Sequence, residues 1–102
     1  MESNQLVISG VILELEKLRV TPGGVPIRTL LLEHRSRQVE VETPREVFCR
    51  IKVAIRGPQL QSLVDQLQVG SRVTVTGFLA RSGYKDEDGI RLNLHAQHIE
   101  LK

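Results

Sequence analysis

The stretch REVFCRIKVAIR, residues 45–56, holds the side chains best suited to chemistry in this chain. Alternation along a strand sends Phe48, Arg50, Lys52, Ala54 and Arg56 to one face and Val47, Cys49, Ile51, Val53 and Ile55 to the other. The first face carries three cations and an aromatic ring, with a lone acid, Glu46, at its start. Single-stranded nucleic acid asks for that combination, positive charge for its phosphates and a ring against its bases. Arg35 and Arg37 stand before the strand and Arg45 at its start, while Arg81, Tyr84, Lys85 and Arg91 flank a long polar stretch further on. Arg35, Arg37, Arg45, Phe48, Arg50, Lys52, Arg81, Tyr84, Lys85 and Arg91 are therefore the candidate nucleic-acid interface. On pattern alone a bland reading stands equal to it: an exposed strand of a small barrel is naturally charged, and Phe48 packs under a loop.

Other chemistries find little support. His34, His95 and His98 have no metal-ligand spacing with Cys49, and they read as surface or satisfied histidines. No serine stands in a nucleophile elbow, and the single thiol, Cys49, falls on the apolar face, where it is expected to be a small buried core residue. Glu14 with Glu16, and Asp86, Glu87 and Asp88, are the acid clusters; they read as solvated strand-end and loop carboxylates. The expectation is a protein that is not an enzyme and needs no cofactor or metal.

The totals limit the possibilities further. A chain of 102 residues is one domain with one core. Fourteen Lys and Arg against twelve Asp and Glu leave a net charge of +2, so any nucleic-acid site is a local patch. MESNQ at the start has no signal-peptide pattern, no apolar run reaches membrane-spanning length, and one cysteine suits a reducing compartment. A soluble cytoplasmic protein, with no membrane association, is expected.

The positioning elements read as strands. LVISGVILEL, 6–15, is apolar on both faces, which implies cover on both sides, the second supplied by a partner subunit; Gly10 marks a bulge or bend. TPGGVP, 21–26, is a hairpin turn, and no phosphate-binding pattern follows it. The return strand covers 27–35. SRQVEVETP after it is an exposed connector or an excursion of the hairpin beyond the sheet. From 33 to 46 it carries three arginines against four glutamates, so it is no basic arm. Leu60, Leu63, Val64 and Leu67 form one stripe of a short plug helix over 59–68. A fourth strand follows, bent at Gly77, then a polar loop at 82–89. A last strand from 90 to 101 shifts register near Gln97 or His98. Five strands with a helix between the third and fourth predict an all-β OB-fold barrel.

LVISG at 6–10, TPGGVP at 21–26, LEHRS at 32–36, VGSRVTVTGF at 69–78 and LHAQHIEL at 94–101 together resemble the primosomal replication protein N (PriB) family, relatives of bacterial single-stranded DNA-binding proteins. The resemblance implies an OB-fold homodimer that binds single-stranded DNA without sequence preference and assists the restart helicase PriA and the loader-associated protein DnaT. It puts Phe48 where relatives have a DNA-stacking tryptophan, Arg35 and Arg45 at basic positions, and Arg91 at a lysine position. It also marks departures. Thr43 replaces a second aromatic, Glu14 a basic residue, and Asp86, Glu87 and Asp88 enter a loop that is lysine-rich in relatives, with one residue inserted. These acids imply weaker DNA binding than in such relatives. They leave open an alternative, a protein-interaction adaptor of the primosome with only weak DNA binding.

Overall fold

Six strands and one short helix succeed one another along residues 2–102, the part of the chain that the computed structural model describes. They are β1 (Leu6–Leu15), β2 (Arg19–Val20), β3 (Pro26–Glu40), β4 (Thr43–Arg56), α1 (Gln61–Val64), β5 (Arg72–Arg81) and β6 (Leu92–Leu101). The two-residue β2 is an addition that alternation did not reveal; the other five are the expected strands. The sheet runs β1-β5-β6-β4-β3-β2, and a further pairing of β1 with β3 closes it. Only β4 and β6 run parallel. This closed five-stranded barrel, with its helix between the third and fourth barrel strands, is an OB-fold.

Closure depends on two places where backbones come too close for a side chain. β1 pairs with β5 over Leu6 to Val11 and then with β3 from Val11 onwards. At that change of partner a Cβ on Gly10 would collide with the Glu33 carbonyl. Gly77 would likewise collide with the His95 carbonyl. There Thr76 pairs with His98 while Gly77 pairs with Ala96, so Gln97 is the extra residue of a bulge, as the register shift predicts. The bulge lets both Leu94 and Ile99 point inward. They join Ile12, Leu30, Leu32, Val53, Ile55, Val73 and Val75 in one core. Truncating a fully buried member such as Leu94 to Ala would cost about 2–5 kcal/mol.

Val64 and Leu67 plug one end of that core. The stripe faces inward as expected, but the regular helix is shorter than 59–68. It has no side-chain cap, and the bonds after it tighten to i→i+3, Gln66 N–H to Leu63 O and Leu67 N–H to Val64 O, both 2.9 Å. On β1 the inner row is covered while Val7 on the outer row stays exposed.

β3 and β4 continue well past the barrel. They pair from Ile27 with Arg56 to Glu40 with Thr43, but β1 accompanies β3 only near Leu30 to Glu33, and β6 accompanies β4 only over Lys52 to Ala54. Residues 34–49 therefore form a free two-stranded ribbon, rooted at and counted from the Glu33–Arg50 pair. It stretches the molecule to 49 Å and its radius of gyration to 14.7 Å, against about 13 Å for a rounded chain of this length. Of the two readings of residues 36–44, the hairpin excursion is the one found. Val41 and Glu42 turn the ribbon with φ of 50° and 61°, the positive values of a two-residue type I′ loop. A β-branched valine is strained there.

The ribbon also corrects the expectation for Cys49, which is exposed. Alternation assigns its row correctly, but Ile51 is the last of that row with barrel beneath it. Beyond, a polar chain replaces the core. Gln38 Nε2 donates to Ser36 Oγ at 3.0 Å, and His34 Nδ1 donates to the Ser9 carbonyl at 2.7 Å. Nε2 of the same ring lies 2.8 Å from the Ser36 hydroxyl. This ties the root of the ribbon to β1. Among the described residues no helix is long and apolar enough to cross a membrane.

Candidate nucleic-acid interface

On the outward face of the ribbon the register sets Glu33 opposite Arg50, Arg35 opposite Phe48 and Arg37 opposite Glu46. Arg50 Nε donates to Glu33 Oε2 at 3.1 Å, and Arg35 Nε to Glu33 Oε1 at 3.4 Å. The same guanidinium groups lie 4.5 Å (Arg35) and 5.3 Å (Arg50) from the centre of the Phe48 ring. Phe48 is half exposed and bracketed by two cation–π contacts rather than packed under a loop. Further out, Arg37 Nε donates to Glu46 Oε1 at 3.0 Å, and on the opposite face Arg45 Nη1 donates to Glu40 Oε1 at 2.8 Å. All four arginines nominated on the ribbon thus hold a carboxylate.

A different arrangement lies over the barrel. Lys52 projects from β4 beside Asn93 of β6, Arg56 ends β4, Arg19 lies on β2, and Arg81 ends β5 just before Tyr84. Two adjoining depressions share Arg19, Thr29 and Asn93. Lys17 and Lys52 line one, with Glu16 also on its wall. Arg56, Arg81 and Tyr84 line the other, a cleft of about 480 Å³, a size that takes a small organic ligand or one splayed-out base. Thr29, Ala54, Ala80 and Asn93 also line it, small or polar groups that leave room above the sheet. Among the described residues none of Lys17, Arg19, Lys52, Arg56 and Arg81 forms an ion pair. His95 reaches the same cleft and stacks on Phe78, its register partner, with ring centres 5.1 Å apart and planes within 6°.

The polar loop before β6 is braced by one of its acids. Ser82 N–H donates to the Arg91 carbonyl at 2.8 Å, Asp86 N–H to the Gly83 carbonyl at 3.1 Å, and the Asp86 carboxylate accepts from Arg91 N–H at 2.9 Å. Lys85 and Arg91 share their hollow with Asp86, Glu87 and Asp88. Tyr84 stands 88% exposed between that hollow and the cleft.

The ten nominated residues thus divide. Arg35, Phe48 and Arg50 meet at the ribbon root; Lys52, Arg81 and Tyr84 join the cleft. Arg37 and Arg45 sit toward the tip on opposite faces, and Lys85 and Arg91 lie at the acidic loop. Arg19, Arg56, Lys17 and the Phe78–His95 pair lie outside the interface that the sequence predicts. Arg56 had a signal, since it continues the row of Lys52; Arg19, in a short connection, had none. Among the described residues no three His, Cys, Asp or Glu side chains are grouped to hold a metal ion.

The face of the second and third barrel strands, flanked by the first and last connections, is where OB-folds hold oligonucleotides. A family model described as "another single-strand binding protein family" matches residues 4–98. The replication restart protein PriB of Photorhabdus laumondii subsp. laumondii is 41% identical over 102 residues, 99% of this chain and 95% of that one. The chain belongs to the PriB family of single-strand binding proteins. PriB from Ralstonia solanacearum, a solved structure, is similar with a TM-score of 0.84 at 31% identity over 98% of both chains. The wild-type single-stranded DNA binding protein from Thermus aquaticus is similar with a TM-score of 0.77 at 28% identity, over 98% of this chain and 50% of that one. The family likeness takes in the ribbon as well as the barrel.

Proposed function

We propose that this chain is a non-enzymatic, single-stranded DNA-binding protein of the replication-restart primosome that assists the helicase PriA, with DnaT as a further partner. The observation that carries the reading is the set of cations around the barrel cleft, unpaired among the described residues, bordered by Tyr84 and including Lys52 on the same row of β4 as Phe48. In this reading Arg19, Lys52, Arg56 and Arg81 take phosphates, and Phe48 and Tyr84 take base faces. Arg35 and Arg50 frame Phe48, while Arg37, Arg45, Lys85 and Arg91 are outlying contacts. Phosphates and ring faces are common to every nucleotide, so binding has no sequence preference. Val7, exposed on the outer row of β1, supports a homodimer, placed in the cytoplasm, and a concentration-independent monomer mass in sedimentation removes that part.

Fluorescence anisotropy of labelled oligothymidine at low and moderate salt tests the reading. Saturable binding that weakens with salt, by about 0.7 in log–log slope for each phosphate contact, is expected. A specific observation favours a second reading: every ribbon arginine already holds a glutamate, which suits a protein-interaction adaptor of the primosome with weak DNA binding. No binding even at low salt would leave that adaptor standing.

A further inference from the structure

Glu33 differs from the other ribbon glutamates in place and in partners. It lies at the root, its side chain is only 17% exposed, and its two oxygens serve two guanidinium groups, Arg50 at 3.1 Å and Arg35 at 3.4 Å. Those two groups are also the ones that bracket Phe48. A carboxylate offering one oxygen to each of two arginines presents the acceptors and charge that a backbone phosphate would present in the same place. One of the two positive charges around Phe48 is therefore already met by the protein itself.

We propose that Glu33 is an internal stand-in for phosphate, holding Arg35 and Arg50 over Phe48 and limiting how strongly the ribbon takes single-stranded nucleic acid. The inference rests on the DNA-binding reading above. An arginine that leaves a carboxylate for a phosphate frees one cation from the nucleic acid, but the abandoned carboxylate takes one up. Its contribution to the salt slope cancels. An unpaired cation such as Lys52 contributes the full amount, about 0.7 on a single strand. Two arginines sharing one glutamate count as one cation.

Glu33→Gln tests this while keeping an acceptor oxygen for the arginines. Oligothymidine titrations across salt should show binding roughly three- to tenfold tighter at low salt, as expected from relieving two ion pairs whose arginines are exposed. The log–log slope should steepen by about 0.7. Glu100→Gln, which changes the net charge equally on β6, should leave the slope unchanged. Arg50→Gln should flatten the slope by about 0.7, and adding Glu33→Gln to it should restore the wild-type value. That second pair keeps the test decisive where Glu33→Gln alone fails to fold by circular dichroism. If wild type binds and Glu33→Gln matches it in affinity and slope, or gains no more than Glu100→Gln, or fails to restore Arg50→Gln, the inference is overturned and the DNA-binding reading survives. If neither wild type nor Glu33→Gln binds at low salt, both fall.

Discussion

Between Glu33 and Arg50 the ribbon holds four arginines and four glutamates, and every one of those arginines is in an ion pair. Around the cleft stand Lys17, Arg19, Lys52, Arg56 and Arg81, with, among the described residues, only the acid Glu16 sharing the walls and no ion pair formed. The two regions present similar numbers of cations but not similar fields. Exposed pairs stabilise the fold by no more than about 1 kcal/mol each. Within a Debye length of about 8 Å, however, they cancel one another for anything approaching. On the proposed reading a polyanion is drawn to the cleft, and the ribbon offers it chiefly a ring.

That division is open to measurement. Replacing Lys52, Arg56 and Arg81 together by Ala should weaken oligothymidine binding by about two orders of magnitude and lower the salt slope by about 2. A slope equal to that of wild type would move the phosphate contacts to the ribbon. Phe48→Ala should weaken binding by about 2 kcal/mol, the loss of one stacked base, at unchanged slope. Titrations at two salt concentrations separate these outcomes, and a flattened slope would show that the ring had been holding phosphate-binding arginines in place. Val41→Asn with Glu42→Gly relieves the positive-φ strain at the tip. It should raise stability by about 1 kcal/mol in thermal unfolding while leaving DNA affinity alone. The charge-neutral exchange Arg37→Gln with Glu46→Gln should change affinity by less than about twofold and stability by well under about 1 kcal/mol.

The barrel was largely legible in the sequence because its cues are local. The alternation that buries Val53 and Ile55, the stripe that turns Val64 and Leu67 inward, and the skipped beat at Gln97 each lie within a few neighbouring residues. The ribbon was less so. Alternation names the face of Cys49 but not the point at which the barrel ends, and only the reach of β1 and β6 decides that. The ion pairs depend on cross-strand register, which depends on where the hairpin turns. Val41 and Glu42 give no Asn-Gly signal of a two-residue loop, so the facing of Arg37 by Glu46 could not be read off. The cleft gathers residues from distant parts of the chain, and Arg19 enters it through a strand of two residues.

His34 gives the ribbon a mechanical character. A two-stranded beam fixed at one end points wherever its clamp directs it, and here the backbone pairings with β1 and β6 are joined by a side-chain clamp, an imidazole held between the Ser9 carbonyl and the Ser36 hydroxyl. A load at Val41 is carried down the beam to that ring and on into β1, the strand on which Val7 lies exposed. Substituting His34 would therefore re-aim Phe48 without altering any residue beside it.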